Sequence, residues 1–163
     1  MKTAVYPGSF DPVSNGHLDI IRRIAKIFDR IYVLVSINPS KQYLFTTGER
    51  VEMLQHATRD LKNVIVESSN KLVLEFVHEK DAQVIIRGVR SFIDYQNEIT
   101  LFSFNRSIDP TVDTLFLFPS TNNLFLSSSS IKELVMFGND ITAFVPEGLA
   151  ERITNKIKAY CHL

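Results

Sequence analysis

Short apolar runs alternate with amphipathic segments along this chain, and this alternation restricts its fold more than any other feature of the sequence. The runs are rich in β-branched and aromatic residues with little polar alternation, which is typical of strands covered on both faces. Helical segments between successive strands predict a parallel sheet joined by right-handed crossovers. The predicted strands cover residues 3–6, 31–37, 64–66, 84–86 and 115–118.

Six helices are predicted in the remaining segments. Capping signals mark the second, fourth and fifth helices at Thr46-x-x-Glu49, Ser91-x-x-Asp94 and Ser130-x-x-Glu133. The fourth reaches about Arg106, Gly138 would end the fifth, and Pro146 suits the first turn of the sixth. Apolar stripes mark the others: Leu18, Ile21, Ala25 and Phe28 in the first, Val73, Phe76 and Val77 in the third, and Leu149, Ile153, Ile157 and Tyr160 in the sixth.

The length of 163 residues corresponds to one domain, at roughly 100–200 residues per domain. The expected fold class is therefore α/β, with a single-domain, doubly wound, five-stranded parallel sheet over residues 1–163. Sheets of this kind bind ligands at the carboxyl ends of their strands, near the point where strand order reverses. Polar residues in the loops that follow the strands are thus the first candidates for function.

Composition excludes several classes of protein. Lys plus Arg and Asp plus Glu each number 18, and a net charge of zero argues against bulk attraction to nucleic acid or anionic membrane. The single cysteine, Cys161, permits neither an intrachain disulfide nor a cysteine-rich zinc site. The first residues lack the apolar stretch of a signal peptide, and no run approaches the ~18 apolar residues of a membrane span. We expect a soluble cytoplasmic protein.

The loop after the first strand carries the clearest chemical signal. Gly8 permits a tight turn away from the sheet, and Gly16 leaves room for a ligand at the start of the first helix. A helix N-terminus offers free N–H groups and a partial positive charge, which suit a phosphate. His17 falls in that first turn, where the helix dipole favours a neutral imidazole that can still donate one hydrogen bond. The alternative is that His17 only caps or packs.

Three later loops carry further anion-binding residue types. Lys41 follows the second strand, and Arg87 and Arg90 flank Gly88 after the fourth, with no acidic partner close by in sequence. A buried arginine without a carboxylate favours a bound anion as its partner. The serines at 127–130 precede an apolar helix and would form a second anion cradle. The alternatives are a solvated lysine, ordinary surface ion pairs and a plain helix cap or linker.

These motifs together resemble the nucleotidylyltransferase superfamily. Gly8-Ser9-Phe10-Asp11-Pro12 with Ser14-Asn15-Gly16-His17 is similar to its [H/T]-x-G-H signature, with Ser14 keeping a hydroxyl at the usual Thr or His position. Residues 6–20 resemble its phosphopantetheine adenylyltransferase branch, as do Pro39-Ser40-Lys41, Ile86-Arg87-Gly88-Val89-Arg90, Asp94-Tyr95-Gln96-Asn97-Glu98 and the serine run with Lys132. Asn123 stands where many relatives carry an aromatic residue.

The resemblance implies a Rossmann-like nucleotidylyltransferase fold and transfer of the adenylyl group of ATP to 4′-phosphopantetheine, with Mg²⁺ arriving with ATP. It implies that His17, Lys41 and Arg90 are catalytic and that Ser9, Lys41, Val73 and Arg87 bind phosphopantetheine. The implied ATP site comprises Ser9, Phe10, His17, Gly88, Val89, Arg90, Glu98, Asn123, Leu124, Phe125, Leu126, Ser127, Ser128 and Ser129. No residue is assigned as a metal ligand.

Two other functions stay open at this point. A sister enzyme could share the Gly-His signature and act on nicotinamide mononucleotide or glycerol phosphate, although the Lys41 and Arg87–Arg90 motifs argue against it. The second open function is that of a non-catalytic nucleotide-binding module, which would not need His17, Lys41 and Arg90 together.

The last expectation concerns the assembly of several copies of the chain into an oligomer. The fourth helix carries two apolar stripes, Phe92, Tyr95, Ile99 and Phe102 on one face and Ile93, Leu101 and Phe104 on the other. A helix that covers one side of a sheet needs only one stripe. The sixth helix could cover the second stripe within the chain. The resemblance favours subunit contacts instead, in a homohexamer with each active site inside one chain.

Overall fold

The computed structural model describes residues 1–161. Its strands are β1 (Thr3–Gly8), β2 (Arg30–Ser36), β3 (Val64–Ser69), β4 (Val84–Gly88) and β5 (Asp113–Leu117). Its helices are α1 (Asn15–Ile24), α2 (Thr47–Ala57), α3 (Val73–Glu79), α4 (Phe92–Ile108), α5 (Ser128–Met136) and α6 (Ala150–Cys161), with a short 3₁₀ turn at Thr121–Asn123. All predicted strands and helices are present in the predicted order.

The strands form one parallel sheet in the order β3-β2-β1-β4-β5, which confirms the predicted α/β class. β1 lies at the centre and pairs with β2 on one side and β4 on the other. The strand order therefore reverses between β1 and β4: β2 and β3 lie on one side of β1, and β4 and β5 lie on the other. Doubly wound sheets bind ligands at this kind of position, beyond the carboxyl ends of the two strands.

Helices cover the sheet on both faces. On one face, Ile21 and Ile24 of α1, Leu54 of α2, Ile131 of α5 and Ile153 of α6 share a buried core with β1 and β2. On the other face, Leu74, Phe76 and Val77 of α3 pack against Val5, Tyr32, Leu34 and Ile85. This double covering explains why the central strands are apolar at successive positions rather than at alternate ones.

Helix boundaries differ from the prediction at three places. α5 begins at Ser128, with Ser127 as its N-cap, so the start suggested at Ser130 is wrong. α1 ends at Ile24, and α6 begins only at Ala150, after Pro146 rather than around it. Gly138 follows the end of α5 with φ of +78°, as expected of a glycine that terminates a helix. No helix within residues 1–161 is both long and apolar enough to cross a membrane.

The two apolar stripes of α4 both remain exposed. Phe92, Ile93 and Phe104 are 72%, 69% and 62% exposed, and no residue of α4 is buried. Tyr95 and Phe102 make edge contacts with Phe116 of β5, which covers the first stripe only partly. The alternative in which α6 covers the second stripe is wrong, because Ile153 and Ile157 of α6 are buried in the core on α5 and the sheet.

Candidate active site

A cleft of about 260 Å³ opens at the carboxyl ends of β1 and β4, where the strand order reverses. Its lining is mostly polar and comes from the loop after β1, the first turn of α1, the end of β4 and the start of α5. Eight residues predicted for the ATP site line this cleft: Ser9, His17, Gly88, Arg90, Leu126, Ser127, Ser128 and Ser129. Three segments that are distant in sequence thus meet at one position.

His17 is held in this cleft by the cap of its own helix. The Ser14 N–H donates to His17 Nδ1 at 3.0 Å, and the His17 N–H donates to Ser14 Oγ at 3.3 Å. Because Nδ1 accepts a hydrogen bond, Nε2 carries the proton in the neutral ring. Burial, with a contribution from the positive charge of Arg90, lowers the pKa of His17 from 6.5 to about 4. The side chain is therefore a neutral hydrogen-bond donor at neutral pH.

The loop after β1 is shaped by Phe10, whose buried side chain packs beneath the cleft. Phe10 adopts φ of 49°, and its ring makes an edge contact with the His17 ring at a centroid distance of 5.0 Å. A Cβ on Gly8 would lie 2.8 Å from Phe10 Cζ, so only glycine fits at that position. Phe10 packs against His17 and is not among the residues that line the cleft.

The start of α5 supplies backbone donors. Ser127 Oγ accepts from the Ser130 N–H at 2.9 Å, and the Ser127 N–H donates to Ser130 Oγ at 2.8 Å. Ser128 Oγ donates to the Pro12 carbonyl at 2.8 Å, which fixes α5 to the loop after β1. The N–H groups of Ser128 and Ser129 stay at the open first turn of the helix, where no intrahelical acceptor exists. This arrangement suits a phosphate anion.

The two arginines at the end of β4 have carboxylate partners, contrary to the expectation from local sequence. Arg87 forms a two-pronged ion pair with Glu98 of α4, with N–O distances of 2.6 and 2.5 Å. Arg90 Nε lies 3.0 Å from the Asp94 carboxylate, and Arg90 NH1 donates to the Leu126 carbonyl at 3.1 Å. Helix α4 thus places Glu98 and Asp94 beside the two arginines at the end of β4. Both guanidinium groups are held in place before any ligand arrives.

A second cleft of about 330 Å³ lies at Pro7 of β1, on the face of the sheet that α3 covers. It is lined by Val73 and Arg87, two of the residues predicted for phosphopantetheine, together with apolar side chains of α3 and α4 that include Leu74, Leu101 and Phe104. Arg87 and Pro7 directly adjoin Gly88 and Tyr6, which line the first cleft. The two clefts together suit an elongated, largely apolar ligand that ends near a phosphate-binding site.

Several predicted site residues lie outside both clefts. Lys41 is exposed in a turn in which Asn38 Oδ1 accepts the Ser40 N–H at 2.9 Å. Val89 is buried and its N–H donates to the Leu117 carbonyl, so Val89 is a packing residue. Glu98 is occupied by Arg87. The predicted residues Asn123, Leu124 and Phe125 lie in and after the 3₁₀ turn and do not line either cleft.

Sequence reasoning missed Tyr6, which lines the first cleft, and two buried charges behind it. Asp11 is 5% exposed and accepts three hydrogen bonds, and Arg50 is 1% exposed, with NH1 donating to the Ser9 carbonyl at 2.9 Å. Arg50 also stacks on the Tyr43 ring at 4.0 Å. The only signal for Asp11 was its place between Phe10 and Pro12 in the loop. Arg50 lies in a helix of mixed polarity and gave no signal.

In residues 1–161, no group of three or more His, Cys, Asp or Glu side chains is placed to hold a metal ion.

Comparisons with known proteins agree with this geometry. The sequence matches the profile of the cytidylyltransferase-like family over residues 5–134. Curated relatives named phosphopantetheine adenylyltransferase include one from Clostridium kluyveri, 47% identical over 98% of each chain. Others come from Clostridium novyi, 44% identical over 96% of this chain and 98% of the relative, and from Desulfatibacillum aliphaticivorans, 44% identical over 96% and 90%.

A solved structure from Vibrio parahaemolyticus, described as a candidate nicotinate-nucleotide adenylyltransferase, shares the fold. It superposes with a TM-score of 0.71 at 19% identity and covers 96% of this chain and 95% of its own.

Proposed function

This chain belongs to the cytidylyltransferase-like family and, within it, to the phosphopantetheine adenylyltransferases, and we propose that it transfers the adenylyl group of ATP to 4′-phosphopantetheine. The products are dephospho-coenzyme A and pyrophosphate, in the synthesis of coenzyme A. The observation that carries the proposal is the pair of clefts at the ends of β1 and β4, one with phosphate-binding donors around His17 and one largely apolar around Val73 and Arg87.

The pair of clefts separates the two substrates. The triphosphate would occupy the cleft between His17, Arg90 and the start of α5, where the donors are backbone N–H groups, an imidazole and a guanidinium. The pantetheine arm would lie in the second cleft, with Ser9 and Arg87 near its phosphate. The acceptor phosphate would then meet the α-phosphate of ATP at the junction of the clefts. Reactant positioning is a major source of rate in transfers of this type.

Transfer of the adenylyl group does not require a strong general base. An oxygen of the acceptor phosphate forms a bond to the α-phosphorus of ATP, and the bond from that phosphorus to the bridging oxygen of pyrophosphate breaks. The acceptor phosphate is already mostly ionised near neutral pH, since its second pKa is about 6. The chain must therefore bind, orient and neutralise charge, and the neutral His17 would donate from Nε2 to an α-phosphate oxygen as negative charge moves through the transition state.

Arg90 and the Ser127–Ser129 segment would hold the β- and γ-phosphates. The ion pair with Asp94 and the hydrogen bond to Leu126 already orient Arg90 toward the start of α5. Preorganised donors of this kind lose little freedom when the ligand binds. Lys41 would bridge the two reacting phosphates once its exposed turn closes over the cleft with both substrates bound. Within residues 1–161 the Lys41 ammonium group forms no ion pair that would oppose this movement.

Mg²⁺ enters this proposal as part of the substrate. Phosphate oxygens are preferred ligands of Mg²⁺, which commonly keeps several waters when it accompanies a nucleotide. The ion would reach the cleft bound to the triphosphate. We expect the enzyme to act in the cytoplasm, where ATP is available.

A homohexamer is also proposed, with α4 and its neighbours at the subunit contacts. The support is the second apolar stripe of α4, where Ile93, Leu101 and Phe104 are all more than half exposed. An apolar surface of this kind on one helix is typical of an interaction site. The net charge of zero does little to keep copies apart.

Pyrophosphate release tests the proposed reaction. Pure protein would be mixed with MgATP and, in separate samples, 4′-phosphopantetheine, nicotinamide mononucleotide or glycerol phosphate. We expect pyrophosphate and a matching amount of dephospho-coenzyme A only with 4′-phosphopantetheine. Release with one of the other acceptors, or with none, would contradict the proposal.

A further inference from the structure

The side chain of Tyr6 occupies the floor of the first cleft. Tyr6 lies on β1, two residues before the strand ends, and only 4% of it is exposed. Within residues 1–161 its hydroxyl oxygen has no hydrogen-bond partner, although the residue lines the cleft. The ring is buried, but the hydroxyl oxygen is open to the cleft, so it can donate to a molecule bound there. The geometry therefore leaves one donor that faces the ligand space.

The backbone of Gly88 and the ring of Phe10 lie beside this hydroxyl and its ring. A Cβ on Gly88 would lie 3.2 Å from the Tyr6 hydroxyl oxygen, so the bare backbone of Gly88 leaves that oxygen open to the cleft. The Tyr6 ring makes an edge contact with Phe10 at 5.5 Å, and Phe10 makes the next one with His17 at 5.0 Å. Tyr6 is thus packed in the same aromatic row that supports His17.

The charge around Tyr6 suits a donor to an anion. The guanidinium groups of Arg87 and Arg90 act on it from the end of β4, and Glu98 is the acidic group that acts on it. Burial raises the pKa of the Tyr6 phenol well above its usual range, against the opposing effect of the two arginines. The phenol therefore keeps its proton at any working pH. It can donate to a phosphate oxygen beside positive charges that attract the same phosphate.

We propose that the Tyr6 hydroxyl is a further substrate-binding group, which donates a hydrogen bond to a phosphate oxygen of the nucleotide in the cleft. This rests on the proposed function for the identity of the ligand. The contact adds a neutral donor to the cleft that His17 and Arg90 also line. No bond forms or breaks at Tyr6, so its contribution is to binding and not to proton transfer.

Tyr32 provides a matched control. It is also a buried tyrosine of a central strand, at 8% exposure, but it packs in the core on the opposite face with Phe76 and lies under the Lys80 ammonium group. Tyr32→Phe removes the same atom from a strand away from both clefts. Any general effect of losing a buried hydroxyl would appear in both variants.

The decisive measurement is the dissociation constant of MgATP by titration calorimetry, without an acceptor, for wild type, Tyr6→Phe and Tyr32→Phe. A hydrogen bond to a charged group predicts about tenfold weaker MgATP binding for Tyr6→Phe, with Tyr32→Phe within about twofold of wild type. Melting temperatures report whether each variant is folded. MgATP affinity of Tyr6→Phe within about twofold of wild type would overturn the proposal, whatever the rate, and so would an equal loss in Tyr32→Phe.

Wild-type outcomes separate this proposal from the proposed function. Wild type that binds MgATP but releases no pyrophosphate with 4′-phosphopantetheine would contradict the function and leave the Tyr6 comparison intact. Wild type that does not bind MgATP would contradict both. Wild type with full activity and a Tyr6→Phe variant of unchanged affinity would contradict the Tyr6 proposal alone.

Discussion

The buried carboxylate of Asp11 accepts a hydrogen bond from the Lys132 ammonium group at 2.7 Å. The same carboxylate accepts the Leu44 N–H at 3.0 Å and the Phe45 N–H at 2.8 Å. Asp11 belongs to the loop after β1, Leu44 and Phe45 follow the turn that carries Lys41, and Lys132 belongs to α5. One side chain therefore connects the three segments that would position the reacting phosphates.

Asp11→Asn should destabilise the fold by about 1–3 kcal/mol, because the amide keeps one acceptor oxygen, for the Phe45 N–H, while its NH2 group faces the Leu44 N–H and the Lys132 cation. Lys132→Met alone should also destabilise, since it leaves a buried carboxylate unpaired. The double variant Asp11→Asn/Lys132→Met should recover part of the loss. Urea unfolding of the four proteins measures this coupling, and losses that simply add would show that the pair is not coupled.

His17 should stay neutral throughout the physiological range. Its pKa of about 4 lies below the ordinary 6.5, so between those values the unfolded chain binds a proton that the folded chain does not. Acidification through this window therefore favours unfolding. An NMR titration of the ring should show no protonation of His17 between pH 5.5 and 8. Arg90→Gln should raise the His17 pKa, because it removes a nearby positive charge. A His17 pKa near 6.5 would contradict the assignment.

The two arginines should affect different substrates. Arg87 lines the apolar cleft, so Arg87→Ala should raise the KM for phosphopantetheine more than that for ATP. Arg90 lines the polar cleft, so Arg90→Ala should do the reverse. Steady-state kinetics with each substrate varied in turn measures both, and Arg106→Ala on α4 is the control for loss of an exposed arginine. Equal effects on the two substrates would contradict the division into two clefts.

Assembly should depend on α4. Light scattering should give about six times the 18.6 kDa of one chain, and Ile93→Asp or Phe104→Asp should lower the mass. A charge in an apolar contact is strongly unfavourable. Ile27 is 62% exposed and lies outside α4, so Ile27→Asp should leave the mass unchanged. A wild-type mass near 18.6 kDa at micromolar concentration would refute assembly, and intact oligomers in both α4 variants would refute this interface.

The sheet and the position of the main cleft were predictable because they follow from local patterns. Each strand is a buried apolar run, and the Gly-His pair falls at the strand-to-helix junction where parallel sheets bind ligands. The start of α5 was not predictable, because the serine run offers two candidate N-caps, Ser127 and Ser130. Ser127 forms its box with Ser130, whereas the sequence pattern favoured Ser130 with Glu133. Local chemistry could not choose between them.

The remaining features of the site could not be predicted because they depend on contacts between residues that are far apart in the sequence. The partner of Arg87 is eleven residues away on the next helix, and proximity in sequence suggested an anion instead of Glu98. Lys41 lies on a turn whose position depends on contacts of its neighbours, and the motif said nothing about its exposure. Asp11 and Arg50 are buried charges, and sequence rules place such residues at the surface unless a partner is known.

The central claim is that the His17 cleft stabilises the transition state of adenylyl transfer, and the turnover of His17→Ala tests it most directly. Removing one such donor should lower kcat by at least about 100-fold, whereas the dissociation constant of MgATP should change by no more than about threefold. His78→Ala, at an exposed histidine paired with Asp109, should leave both values unchanged. A kcat of His17→Ala within about threefold of wild type would contradict the account.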